Sequence, residues 1–95
     1  MIVRYNTSIV NSGSYTDAQR RTLLQVVADS IASGLRSRRP LDVDPVRFDE
    51  PLRLMRATFV TLKLAGRLRG CIGTLEAIRP LVADVAHNAC AAAFT

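Results

Sequence analysis

The chain has 95 residues, of which 48% are hydrophobic, and its formal net charge is +5. This length holds one small domain with a marginal core, because short chains bury a smaller fraction of their surface. The hydrophobic content excludes a disordered chain, and no apolar run reaches the roughly 18–20 residues of a membrane span. Residues 1–6 lack the apolar segment of a signal peptide, so the composition predicts a cytoplasmic globular protein.

The cysteines and basic residues narrow the function classes further. Cys71 and Cys90 fall in a predicted strand and a predicted helix; two cysteines make no disulfide framework, and both are expected to be reduced. Twelve of the thirteen basic residues are Arg, which is compatible with a nucleic-acid partner or with a GC-rich genome. Apart from Arg36, Arg38 and Arg39 they are scattered, and this scatter favours the second explanation.

The first clear element is a helix that begins after Thr16. Residues 1–15 have little pattern and are predicted to form a loosely ordered arm with one short strand at Met1–Arg4. Thr16 and Gln19 make a capping-box arrangement, and Pro40 ends the helix by about residue 38. Helical spacing predicts a buried stripe that consists of Leu23, Leu24, Val27, Ala28, Ile31 and Leu35.

Residues 40–56 are predicted to form a packed loop rather than a domain boundary. Long connectors inside a compact domain are usually functional or locally structured. The apolar side chains expected to tuck against the core are those of Val43, Val46 and Phe48.

The next segment predicts a β-hairpin, with strands over 57–64 and 67–73. A two-residue loop at Ala65-Gly66 would place Val60 on the same face as Cys71. A three-residue loop over 64–66, with Gly66 as a left-handed bulge, shifts the register by one residue. We favour the second because it separates an apolar face, Val60, Leu62, Leu68 and Ile72, from a polar one, Phe59, Thr61, Lys63, Arg67, Arg69 and Cys71.

A second helix is predicted from Pro80, whose missing N–H costs nothing in the first turn. Its buried stripe is Leu81, Val82, Val85, Ala86, Ala89 and Ala93. The predicted fold class is α+β, an antiparallel β-hairpin core flanked by two helices. Two helices and a hairpin predict an incomplete sheet, so we expect self-association or a missing C-terminal segment to complete it.

Four short runs carry a family resemblance: 59–62, 68–74, 79–81 and 88–94. They read Phe-Val-Thr-Leu, Leu-Arg-Gly-Cys-Ile-Gly-Thr, Arg-Pro-Leu, and Asn-Ala followed by Ala-Ala-Phe. In these runs the chain resembles the AMMECR family, whose bacterial and archaeal members are called AmmeMemoRadiSam system protein A. The resemblance implies that 16–95 is the N-terminal part of such a domain, with a cleft lined by the 68–74 motif. It also implies a Memo-like protein and a radical SAM enzyme as partners.

Cys71 and Arg69 are the candidate catalytic residues of the motif. They lie two positions apart, about 6.6–6.8 Å along one strand face, and a nearby cation favours the nucleophilic thiolate. Arg69 would clamp an anion. Two alternatives stay open: Cys71 as a small buried residue, and Arg69 as a surface charge paired with Glu76 or an acid of the 40–56 loop.

The candidate ligand-binding residues surround this pair. Thr61 is a polar neighbour on the adjacent strand, and the missing side chains of Gly70 and Gly73 let a ligand or another backbone approach. Thr74 and Arg79 flank the loop into the second helix, whose free N–H groups bind anions. The glycines match no dinucleotide or P-loop pattern, and a bulge with close packing is the simpler explanation for them.

The remaining polar residues predict no further site. One His and two separated Cys do not supply a metal site, and no cofactor is expected. Glu76 and Asp84 lie on different elements and make no catalytic pair, while Asn88 edges the apolar stripe of its helix.

The sequence thus predicts a cleft around the motif that binds or processes a small anionic molecule through a thiol. Whether this amounts to a cysteine-dependent or redox enzyme stays open. The alternatives are a module that handles RNA and a non-catalytic interaction domain or fragment.

Overall fold

The computed structural model describes residues 3–9, 15–64 and 67–94, except for the side chains of 3–9, 63, 64, 68 and 69. Within these residues, three strands form one antiparallel sheet in the order β1-β2-β3. Helices pack on one face of the sheet, and the α+β class is confirmed. The elements are β1 Val3–Ile9, α1 Asp17–Ser37, a 3-10 turn Pro45–Arg47, α2 Glu50–Arg53, β2 Thr58–Leu64, β3 Arg67–Gly73 and α3 Leu81–Phe94.

β1 is longer than the short strand predicted at Met1–Arg4. It pairs antiparallel with β2 from Val3 opposite Leu64 to Ile9 opposite Thr58. The segment expected to be a loosely ordered arm therefore carries a paired strand. Its apolar and polar residues alternate with a period of two, which is typical of a strand, but the pattern is short and its partner is distant in sequence.

α1 has the predicted capping box. Thr16 Oγ1 accepts from the Gln19 N–H, and Gln19 Oε1 accepts from the Thr16 N–H, both at 3.0 Å. After Ser37 the chain turns at Arg38, whose φ is 60° and whose N–H donates to the Gly34 carbonyl.

The buried face of α1 differs from the predicted stripe. Leu24 and Leu35 are exposed, at 39% and 72%, so their predicted burial is wrong. Ser30 lies on the buried face instead, because its hydroxyl donates to the Ala86 carbonyl of α3 at 2.6 Å. The buried residues of α1 are Leu23, Val26, Val27, Ser30 and Gly34.

The connector after α1 is a packed loop, as predicted. The Leu41 N–H donates to Ser30 Oγ at 3.1 Å, and Val43 and Phe48 pack against the core. Val46 is 76% exposed, so its predicted packing is wrong.

The hairpin register is a mixture of the two alternatives. Leu64 pairs with Arg67, so the favoured three-residue loop is wrong at Leu64; the predicted bulge at Gly66 lies outside the described residues. An irregularity between Leu62 and Lys63 leaves Arg69 as the extra residue of β3. Such a bulge shifts the pairing by one residue.

Beyond the bulge, the faces are those of the favoured register. Val60 pairs with Ile72, and Thr61 with Cys71, which confirms the predicted separation for these four residues. Leu68 pairs with Lys63 rather than with Leu62.

α3 covers the Val60 face of the sheet and also packs against α1. Its predicted stripe is confirmed, with only Ala93 partly exposed. The core comprises Leu23, Val26, Val27, Leu52, Val60, Leu62, Leu81, Val82, Val85, Ala86, Ala89 and Ala92. None of the helices in the described residues is long and apolar enough to cross a membrane.

Gly70 offers a test of this packing. It pairs with Leu62, and a Cβ on Gly70 would overlap the Ala92 carbonyl oxygen of α3. Because that obstacle is backbone, Gly70→Ala should lower the free energy of unfolding by about 1–3 kcal/mol, measured by urea denaturation. The comparison is Gly73→Ala, where the obstacle is the Phe59 side chain, which can rotate away; an equal loss in both variants would contradict this account.

Candidate functional site

Cys71 lies on the sheet face that points away from α3. It is exposed, so the alternative of a buried core cysteine is wrong. Its Sγ lies 3.4 Å from the Thr61 hydroxyl on β2, and either group can donate the proton. The predicted neighbours Thr61 and Cys71 are thus brought together by their cross-strand pairing.

Phe59 stands beside this pair on the same face. It pairs with Gly73, and a Cβ on Gly73 would overlap the Phe59 ring. The missing side chain at Gly73 therefore lets the ring lie over the end of β3, next to Cys71. We call the surface of Phe59, Thr61, Cys71 and Gly73 the open face.

Gly70 belongs to the opposite side of the sheet. Its missing side chain accommodates the backbone of α3 at Ala92. The two glycines of the motif thus have different structural roles: Gly70 leaves room for the α3 backbone, and Gly73 leaves room for the Phe59 ring. A ligand-binding role for either glycine stays a prediction.

A polar cluster, which the sequence analysis did not predict, lies under the sheet around Asp84. This carboxylate on α3 is fully buried. Oδ2 accepts from the Thr58 N–H at 2.9 Å and from the Thr58 hydroxyl at 2.7 Å. Oδ1 accepts from the Thr74 hydroxyl at 2.9 Å and from Arg79 Nη1 at 2.7 Å.

Asn88 lies one turn after Asp84 and completes the cluster. It is 2% exposed, and its amide nitrogen lies 2.9 Å from Thr74 Oγ1 and 3.1 Å from the Thr58 hydroxyl and carbonyl oxygens. The hydroxyls of Thr58 and Thr74 donate to Asp84, and the two Asn88 N–H groups are shared among these oxygens and Asp84 Oδ2, which lies 3.2 Å away. The cluster therefore has one direction of donation, which ends on the carboxylate.

The predicted site residues divide between these two places. Thr61 and Cys71 lie on the open face, whereas Thr74 and Arg79 contact Asp84. The side chain of Arg69 lies outside the described residues, so its role as an anion clamp stays a prediction.

The anion site that the sequence predicted at the start of its second helix lies at the start of α3. Fewer N–H groups are free there than expected. The Leu81 N–H already donates to the Leu54 carbonyl at 2.8 Å. Arg79, which that hypothesis required to face the helix end, has its Nη1 on Asp84 and a side chain 28% exposed. Both groups on which this hypothesis relied therefore already have partners.

The sequence feature that could have predicted this cluster is the four-residue spacing of Asp84 and Asn88. Residues four apart share one helix face, and here that face adjoins the apolar stripe. A polar pair at the margin of a buried stripe indicates a buried hydrogen-bond network, provided that donors such as Thr58 and Thr74 come within reach.

Cys90 provides an internal contrast to Cys71. It is 7% exposed on α3, and burial raises the pKa of its thiol. No group of His, Cys, Asp and Glu in the described residues could hold a metal ion.

Comparisons with known proteins cover most of the chain. The AMMECR1 family model matches residues 24–95. A protein of Methanothermobacter thermautotrophicus is 37% identical over 73 residues, which is 77% of this chain and 38% of that protein. The chain therefore spans less than half the length of this curated relative. No solved structure matches this chain.

Removing the buried carboxylate should destabilise the fold strongly. Asp84→Ala leaves Thr58, Thr74 and Arg79 without their acceptor, and breaking a buried ion pair typically costs about 3–5 kcal/mol. We expect a loss of this order in the free energy of unfolding by urea. The exposed Asp42→Ala is the matched control and should change it by less than about 0.5 kcal/mol; similar losses in both variants would refute the role given to the cluster.

The two thiols should differ in reactivity. At pH 8, Cys71 should be alkylated by iodoacetamide at least about tenfold faster than Cys90, because the thiolate is the nucleophile and burial both shields Cys90 and raises its pKa. Mass spectrometry of Cys71→Ser and Cys90→Ser separates the two rates. Equal rates would contradict the greater accessibility of Cys71.

Proposed function

Because the chain belongs to the AMMECR1 family, whose matched region includes both Thr61 and Cys71, we propose that the open face binds a small anionic molecule through a thiol. The observation that carries the proposal is the exposed Cys71 Sγ, 3.4 Å from the Thr61 hydroxyl. A thiol on a packed sheet is held in place, and its exposure leaves it available to a ligand.

The Thr61 hydroxyl has a defined task in this proposal. A hydroxyl that donates to a thiolate stabilises it, and the same hydroxyl accepts when the sulfur is protonated. Thr61 therefore serves both protonation states without moving. Phe59 bounds the site on one side and offers an apolar surface to the carbon atoms of a ligand.

The positive charge of the protein favours an anionic ligand. The chain carries a net charge of +5, which favours encounter with anions. Arg69 is the extra residue of the β3 bulge, two positions before Cys71. Bulges often re-aim side chains beside functional sites, and a guanidinium binds carboxylate or phosphate in a bidentate manner.

The Asp84 cluster supports the open face from beneath. Thr74 directly follows β3; its N–H donates to the Thr58 carbonyl at 2.9 Å and its hydroxyl donates to Asp84. The end of β3 is thereby tied to a buried carboxylate. A site on a fixed strand holds its geometry better than one on a loop.

Two alkylating reagents of similar size test the proposal. Iodoacetate is anionic and iodoacetamide is neutral; with either reagent an S–C bond forms at Cys71 and iodide leaves. If the open face attracts anions, the iodoacetate-to-iodoacetamide rate ratio at Cys71 should exceed that of free cysteine about fivefold, the equivalent of ~1 kcal/mol.

Arg69→Gln should return this ratio to the value of free cysteine. Arg67→Gln is the matched control, since it removes the same charge from an exposed position of the same strand and should keep most of the enhancement. A ratio equal to that of free cysteine in the parent protein, or equal effects of both variants, would contradict anion recognition at this site.

A hydroxyl-to-methyl change tests the thiol part separately. Thr61→Val preserves the shape of the side chain but removes the donor to sulfur, so iodoacetamide should alkylate Cys71 about threefold to tenfold more slowly at pH 7. Thr22→Val on α1 is the control for the loss of a hydroxyl. An unchanged rate in Thr61→Val would remove Thr61 from the site.

The partners of the whole protein belong to this proposal as well. A Memo-like protein and a radical SAM enzyme are the partners implied by the resemblance, and self-association or a further segment is the proposed means of extending the sheet. The RNA-handling alternative predicts binding that weakens steeply with salt, because phosphate contacts release counterions.

A further inference from the structure

A groove lies between the C-terminal ends of α1 and α3, away from the open face. Its volume is about 560 Å³, and it is lined by Gly34, Leu35, Arg38, Cys90 and Phe94. α3 contributes Cys90 and Phe94 to it, whereas Cys71 lies on the far side of the sheet from α3. The groove is therefore a second place on the molecule, and nothing in the proposed thiol chemistry uses it.

The floor of the groove is apolar. Gly34 is buried, and a Cβ there would overlap the Phe94 ring and approach Cys90 Sγ to 3.0 Å. The missing side chain thus allows the ring and the sulfur to form a continuous surface. Burial raises the pKa of the Cys90 thiol, which keeps it neutral, while Leu35 and Phe94 are 72% and 45% exposed.

The rim of the groove is cationic. Arg38 lines it directly, whereas its exposed sequence neighbours Arg36 and Arg39 are not among the lining residues. Among the described residues the salt bridges are those of Arg20 with Asp17 and of Arg79 with Asp84, so these three arginines have no acidic partner there. They also outweigh the partial negative charge at the C-terminus of α1.

We propose that this groove binds a single-chain carboxylate. The apolar chain lies against Leu35, Cys90 and Phe94, and the carboxylate pairs with the Arg38 guanidinium, which matches it in a bidentate manner. The volume falls within the range of about 300–1,000 Å³ for small-molecule sites, which combine an apolar lining with few polar groups. One charged lining residue fits a ligand with one anionic group.

Cys90 supplies the reporter for the test. In a Cys71→Ser background Cys90 is the remaining thiol, and its alkylation by iodoacetamide is followed by mass spectrometry. Decanoate, kept below its micellar concentration, is the probe, and decanol is its neutral counterpart. We expect saturating decanoate to slow alkylation at least fivefold, and decanol at the same concentration to slow it less than twofold.

Arg38→Asn tests the anion contact. Asn tolerates the left-handed backbone at this position, whose φ is 60°, so the fold should be retained and is checked by a thermal melt. The half-maximal decanoate concentration should rise at least threefold. Arg36→Gln, which removes the same charge outside the lining, should leave it nearly unchanged.

Several outcomes would overturn the proposal. They are no protection by decanoate, equal protection by decanol, and equal weakening in Arg36→Gln and Arg38→Asn. Alkylation of Cys90 that slows with protein concentration alone, accompanied by a dimer in sedimentation, would assign the groove to a second copy of the chain. If Arg38→Asn does not fold, the decanoate and decanol comparison on the Cys71→Ser protein decides.

Discussion

The structure depends on a buried carboxylate with its charge fully hydrogen-bonded. Taking Asp84 out of water is costly, and only good geometry with further hydrogen bonds offsets that cost. Here the donors come from the first residue of β2, from Thr74 after β3 and from Arg79 before α3. One side chain thereby joins both strands of the hairpin to the helix that covers them. Without it, α3 would be held on the sheet by its apolar side chains and by the hydrogen bonds of Asn88 to Thr58 and Thr74.

This anchoring decides which side of the sheet α3 covers. α3 lies so close to β3 that Gly70 is required beneath Ala92, and the sheet face with Val60 and Leu62 is closed. The other face carries Cys71 in the open. A packed face and an exposed face therefore alternate along the same strand, as the two-residue period of a strand allows. Within the motif, Gly70 allows α3 to pack closely on one face of the sheet, and Gly73 allows the Phe59 ring to lie on the other face.

Local sequence signals predicted the parts of the fold that local physics controls. The capping box at Thr16, the stripe of α3 and the existence of the hairpin follow from spacing within a few residues. The register does not, because the bulge at Arg69 goes with the packing of β3 against α3, which follows later in the chain. β1 depends on partners that are 49 residues (Ile9 with Thr58) to 61 residues (Val3 with Leu64) away, and the Asp84 cluster depends on Thr58, which is 26 residues away. For the site, the shared face of Thr61 and Cys71 was predicted, but their direct cross-strand pairing and the buried cluster on the other side of the sheet were not.

Hydrogen exchange of the Thr58 amide measures the central interaction most directly. This N–H donates to the buried Asp84 carboxylate rather than to another strand, so its protection reports on the cluster itself. The account predicts that it exchanges only when the domain unfolds globally, with the free energy found by denaturation. Exchange through local opening, at a rate near that of the exposed connector amides such as Asp42, would contradict it.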